Sequence, residues 1–194
     1  MLYLDEYRES VDIDFLCSSK EGYRSLRNLV SDDLGPLLRT PIKHLRSVRI
    51  ERDRFSTFLE MQGQPIKVEF LLEGNTSLQG SIDPILGIPM LSRVDMYTQK
   101  LLANADRGLD KSHMSRDMID LAMMVARWGD VPTLAWDKAY SAYGDYLIRG
   151  FHDGLVPLQD RQYLVSCLHR MHMEPGLADV LADGSSSYSG CALA

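Results

Sequence analysis

The chain has 194 residues, of which 45% are apolar and 25% charged, and a formal net charge of −6. Those values describe a globular chain able to bury a core of its own, and they exclude a uniformly basic nucleic-acid surface. No run of about 18 apolar residues occurs and Asp5-Glu6 follow too early for a secretory leader, so neither a membrane span nor export is expected, and a cytoplasmic location is. Cys17, Cys167 and Cys191 are odd in number and widely spaced, which fits reduced thiols better than a disulfide framework.

In chain order, Val11-Asp12-Ile13-Asp14-Phe15 alternates apolar and acidic residues, the period of a strand with one buried face. Tyr23, Leu26, Leu29, Val30 and Leu34 recur at helical spacing, so a helix is predicted over 20–34, stopped by Gly35-Pro36. Residues 47–52 and 55–61 read as a hairpin, Gln62-Gly63-Gln64-Pro65 as a turn, and 66–72 as the clearest strand. The Gly- and Pro-punctuated stretch 81–89 is expected to be extended. Ser92, with Asp95 three residues on, opens a helix to about Asp106, and Ser115 opens another to Trp128, closed by Gly129. Helical patterns follow over 133–146, 158–173 and 177–181, and the Ser/Gly-rich tail 184–194 is flexible in composition. The pattern predicts an α+β chain: an α/β core over 1–90, a helical domain over 91–183, then the tail.

Asp12 and Asp14 stand at i and i+2 on a predicted strand, so they share one face while Val11, Ile13 and Phe15 take the other. Two adjacent carboxylates resist joint ionisation unless a cation lies between them, and a hard divalent ion such as Mg²⁺ accepts oxygen ligands. Glu69 lies on the 66–72 strand. If that strand pairs with the first, three carboxylates converge as two-metal phosphoryl or nucleotidyl transfer requires. The same Asp-x-Asp spacing also suits two solvated aspartates on an open sheet face. Arg39, Lys43, Arg46, Arg49, Arg52 and Arg54, offset by Glu51 and Asp53, form a local basic run. It reads either as a solvated surface or as a footprint for phosphates.

The segment Tyr7-Arg8-Glu9-Ser10-Val11-Asp12-Ile13-Asp14-Phe15 resembles the core of the AbiEii/AbiGii-type nucleotidyltransferases, which read Arg-x-Ser-x-Asp-hydrophobic-Asp-Phe at this point. Lys67-Val68-Glu69-Phe70-Leu71 is similar to that family's strand carrying a lysine and the third carboxylate. Lys100-Leu101-Leu102-Ala103, Asp106-Arg107-Gly108 and Arg116-Asp117-x-x-Asp120-Leu121 follow in family order, so the resemblance covers 1–128. It implies a nucleotidyltransferase-like mixed sheet with flanking helices before a helical C-terminal half. It implies Mg²⁺ or Mn²⁺ held by Asp12, Asp14 and Glu69, with Glu69 completing the site or accepting a proton. Ser10, Lys67, Lys100, Arg107 and Arg116 are the nucleotide-binding residues it implies, and Asp117 a catalytic one. Asp117 and Asp120 either orient Arg116, take part in proton transfer, or form a structural ion-pair network. The activity implied is toxin-like transfer of a nucleotide from an NTP to RNA, tRNA above all, or to a protein hydroxyl, with a cognate antitoxin as partner.

The family pattern also has Gly-Gly or Gly-Ser before the Asp-x-Asp strand, where backbone N–H groups bind the nucleotide phosphates. No such pair precedes Asp12, and the family spacing would place it just upstream of Met1. Two expectations compete: an α/β core that is N-terminally truncated, or a regulatory or binding protein that keeps the fold without triphosphate binding. On either, this chain is expected to bind NTP poorly. His169 and His172 are expected at the surface or in packing, Met114, Met118, Met123 and Met124 as core filler, and Trp128 and Trp136 as packing anchors.

Overall fold

The computed structural model describes residues 4, 6–10, 12–30 and 33–181; Val11, Cys191 and the tail 184–194 lie outside them. The architecture is α+β, as the pattern predicts, and divides into two compact units, Ser10–Leu78 and Met1–Glu9 with Gln79–Ala194.

The first unit holds β1 (Asp12–Cys17), α1 (Lys20–Leu29), β2 (Arg49–Ile50), β3 (Arg54–Met61) and β4 (Gln64–Leu72), with sheet order β1-β4-β3-β2. β1 runs parallel to β4 and the other pairs are antiparallel, so the sheet is mixed. Gln62 and Gly63 both take positive φ, the two-residue turn that matches strand twist, and β4 therefore starts two residues before the predicted 66. Phe55, Thr57 and Leu59 of β3 are buried and alternate with less buried neighbours. Tyr23, Val30, Leu34 and Val68 complete that core.

Two expectations are corrected in this unit. α1 ends at Leu29, not at 34: Val30 is extended, and residues 35–37 form a single 3₁₀ turn. Val30 and Leu34 are buried nonetheless, so their helical spacing reflects burial from an irregular backbone. The strand predicted over 47–52 shrinks to Arg49–Ile50. The outer edge of β3 is covered in two pieces. Leu45 N donates to Phe58 O and Glu60 N to Lys43 O, β2 pairs further along, and residues 46–48 stand between them. Thr57 Oγ1 pins this interruption by donating to Arg46 O at 2.5 Å.

The second unit holds the ribbon β5 (Gly80–Ile82) with β6 (Pro89–Leu91), then α2 (Arg93–Arg107), α3 (Arg116–Trp128), α4 (Thr133–Tyr143), α5 (Asp145–Leu155) and α6 (Arg161–Arg170). Ser92 caps α2 by accepting from Asp95 N at 3.1 Å. α3 is buried almost all round, with Met118, Ile119, Leu121 and Met123 fully enclosed. Trp136 packs edge-on against Phe151 and Trp128 against Tyr97.

The helix predicted over 133–146 is two helices, because Gly144 at φ 55 breaks it. The sequence pattern does not reveal α5, whose Gly150 and Gly154 lower intrinsic helicity. Tertiary contact explains both glycines. A Cβ on Gly150 would lie 2.8 Å from Ala105 Cα, and one on Gly154 would lie 2.7 Å from Asn104 Oδ1. Asn104 Nδ2 then donates to Gly150 O at 3.0 Å, joining α2 to α5. Gly150→Ala, stabilising by about 1 kcal/mol on helix propensity alone, is expected to destabilise by roughly 1–3 kcal/mol through overpacking. The check is the urea midpoint followed by tryptophan fluorescence.

Candidate active site

In the sheet unit the parallel register pairs Asp12 with Lys67, Ile13 with Val68, Asp14 with Glu69 and Phe15 with Phe70. Paired residues project to the same face, so one face carries Phe15 and Phe70 and the other carries Asp12, Asp14, Lys67 and Glu69. The first is fixed by aromatic stacking: Phe15 lies 4.9 Å from Phe70, and Phe70 4.7 Å from Phe55. A one-residue slip would send those rings to solvent, so the apolar face sets the register that aligns the carboxylates.

On the polar face Ser10 Oγ donates to Asp12 Oδ1 at 2.8 Å, and Asp14 is exposed. Lys67 Nζ lies 2.6 Å from Glu69 Oε2, and Arg54 stands 3.8 Å from the other oxygen of that carboxylate. Glu69 is thus neutralised by two cations. Among the described residues, no group of three His, Cys, Asp or Glu side chains is arranged to hold a metal ion. The donor chemistry still fits a hard divalent ion: Asp12 and Asp14 offer carboxylate oxygens from one strand face, and Mg²⁺ commonly takes one or two carboxylates plus substrate phosphates and water.

In the helical unit Lys100, Arg107, Asp117 and Asp120 come together. Arg107 Nε and Lys100 Nζ lie 2.6 and 3.1 Å from Asp117, and Lys100 Nζ lies 2.6 Å from Asp120. Arg8 Nε and Nη2 donate to the two oxygens of Asp120 at 2.9 Å each, and the Tyr7 hydroxyl donates to Oδ1 at 2.5 Å. The sequence pattern assigns no role to Tyr7 or Arg8, although both stand in the first motif. Arg116 remains outside the network, its Nε buried without a hydrogen-bond partner among the described residues.

Burial opposes ionisation of both aspartates, but their partners prevail. Lys100 and Arg8 hold the Asp120 pKa far below the usual carboxylate range. The Arg107 hydrogen bond, with the charges of Lys100 and Arg107, lowers that of Asp117 against the repulsion of Asp120. Burial and Asp120 push the Tyr7 phenol well above its ordinary value, so it stays a donor.

A carboxylate whose folded pKa is depressed adds stability above its unfolded pKa and loses it as pH falls toward the folded value. Stability is therefore expected to be full above about pH 5 and to fall steadily below about pH 4. Asp120→Asn, which strands buried cations, is expected to cost roughly 3–5 kcal/mol at neutral pH and to flatten that acid limb. Urea titrations followed by circular dichroism from neutral pH to about pH 2 check both effects.

Among known proteins, a family model described as "Nucleotidyl transferase AbiEii toxin, Type IV TA system" matches residues 1–185. No curated protein and no solved structure matches the chain.

Proposed function

The chain belongs to the AbiEii nucleotidyl transferase toxin family, and from that premise we propose metal-dependent transfer of a nucleotide from an NTP to an acceptor hydroxyl. The acceptor in this reading is RNA, tRNA foremost, or a protein, and a cognate antitoxin restrains the activity. One observation carries it: the in-register pairing of β1 with β4, which sets Asp12 and Asp14 beside Lys67 and Glu69 on one sheet face.

Asp12 and Asp14 are the residues that would hold Mg²⁺ or Mn²⁺, which supplies charge neutralisation at the phosphate oxygens. Ser10 orients Asp12 through its hydrogen bond. The acceptor oxygen forms a bond to the α-phosphorus, pyrophosphate leaves, and the acceptor proton passes to a carboxylate, for which Glu69 is the candidate. Lys67, now on Glu69, is placed to exchange that carboxylate for a phosphate oxygen as substrate arrives. Lys100 and Arg107 are the proposed contacts to nucleotide phosphates in the helical unit, with Arg116 beside them in that role, and Asp117 holds the two cations in place or moves a proton.

Purified protein supplied with radiolabelled NTPs, Mg²⁺ and total RNA is expected to label RNA only weakly, because no glycine pair precedes Asp12 to cradle the triphosphate. Asp14→Asn is expected to reduce labelling at least a hundredfold, by analogy with the loss of a single transition-state electrostatic contact. Millimolar Mg²⁺ or Mn²⁺ is expected to raise the melting temperature of the wild type but not of Asp14→Asn, since a ligand bound to the native state alone stabilises it. Metal binding without transfer to any RNA or protein acceptor sinks the enzymatic reading in favour of a regulatory one. That second reading draws on one feature, the pairing of Glu69 with Lys67 and Arg54.

A further inference from the structure

The polar face continues beyond the carboxylates. Where residues 46–48 interrupt the edge of β3, the sheet unit has a recess of about 170 Å³ whose lining includes Arg46, Arg49, Arg54, Lys67, Glu51 and Glu69. Its charges do not cancel. Glu51 is shared by Arg49 at 2.8 Å and Arg54 at 2.5 Å, while Glu69 is shared by Lys67 and the same Arg54. Arg46 has no carboxylate partner among the described residues, and its guanidinium lies 4.7 Å over the Phe58 ring. Four cations thus face two carboxylates, in a chain whose net charge is −6.

We propose that this recess binds the phosphodiester backbone of a single-stranded acceptor nucleic acid and leads its end toward Asp12 and Asp14. The assignment rests on the nucleotidyl-transfer reading for what happens at that end, but the binding itself does not. The geometry favours a chain of phosphates over a lone triphosphate. Sheet order places Lys67 on β4, Arg54 on β3 and Arg49 on β2, a track crossing the strands away from β1. β3 lies two strand spacings from β1, about 9–10 Å, so a phosphate in the recess is a different one from the phosphate at the aspartates. Arg46 over the Phe58 ring adds a planar cationic group of the kind on which bases stack without regard to sequence. Exposed arginines also protect a short edge strand from pairing with other chains. That role requires neither a recess nor cations carried inward as far as Lys67.

The test is anisotropy of a labelled single-stranded RNA of about a dozen nucleotides, mixed with the full chain without metal or NTP, at a series of salt concentrations. Binding is expected to weaken with salt at a logarithmic slope of about −0.7 per phosphate engaged. Arg46→Ala and Arg49→Ala are each expected to weaken binding several-fold for any sequence and to cut that slope by about 0.7. The Arg49 side chain is 77% exposed, so its replacement leaves folding intact. Unchanged affinity and slope in both arginine variants overturns the proposal. So does one-for-one displacement of the RNA by millimolar NTP without metal, which would give the recess to the triphosphate. Transfer to an acceptor by a wild type that binds no RNA overturns this assignment alone. RNA binding with the expected arginine dependence but no transfer overturns the enzymatic reading alone.

Discussion

The parallel pairing of β1 on β4 is the constraint on which the candidate chemistry depends. Neither Asp-x-Asp nor Lys-x-Glu is distinctive by itself. Together, at the register Asp12–Lys67 and Asp14–Glu69, they make a compact field of alternating charge on one face. What holds that register is apolar: the stacked rings of Phe15, Phe70 and Phe55 on the other face. The polar face can then keep exposed and mutually repelling groups, because its geometry does not rely on their attraction.

The helical unit solves an opposite problem. Asp117 and Asp120 are almost wholly buried, and a buried carboxylate is tolerable only if nearly every oxygen lone pair meets a donor or a cation. Lys100 spans both aspartates, Arg107 closes on Asp117, and Arg8 with Tyr7 closes on Asp120. The outcome is a set of fixed side chains against a largely apolar core, so any ligand meeting Lys100 or Arg107 meets groups whose positions are already set.

Much of this is legible in the sequence because it rests on short periods. Alternation locates β1, β3 and β4 within about two residues, and Ser92, Gly108 and Gly129 bound α2 and α3. Where sequence and structure part, non-local contact decides. α5 carries two glycines that lower its intrinsic helicity, and only the closeness of Ala105 and Asn104 explains them. The extension of α1 to 34 fails because Val30 and Leu34 are buried for reasons unrelated to helical geometry. The site divides in the same way. Same-face spacing anticipates the Asp12–Asp14 pair, whereas Tyr7 and Arg8, the partners of Asp120 more than a hundred residues upstream, leave no local trace. The basic run is visible as composition. Its recess depends on the break at 46–48, which follows from how Thr57 holds the neighbouring backbone.

The placement of Tyr7 and Arg8 has a consequence for how the chain is made. Both belong to the helical unit with Gln79–Ala194, while Ser10–Leu78 forms the other unit, so the sheet unit is inserted near the start of its neighbour. Arg8 must wait for Asp120, 112 residues later, to leave the ribosome. At about 5–20 residues per second that interval is roughly 6–20 s. The sheet unit is synthesised entirely within it, so the order of synthesis favours the carboxylate face assembling first and the helical core closing last, around a segment made before the sheet unit.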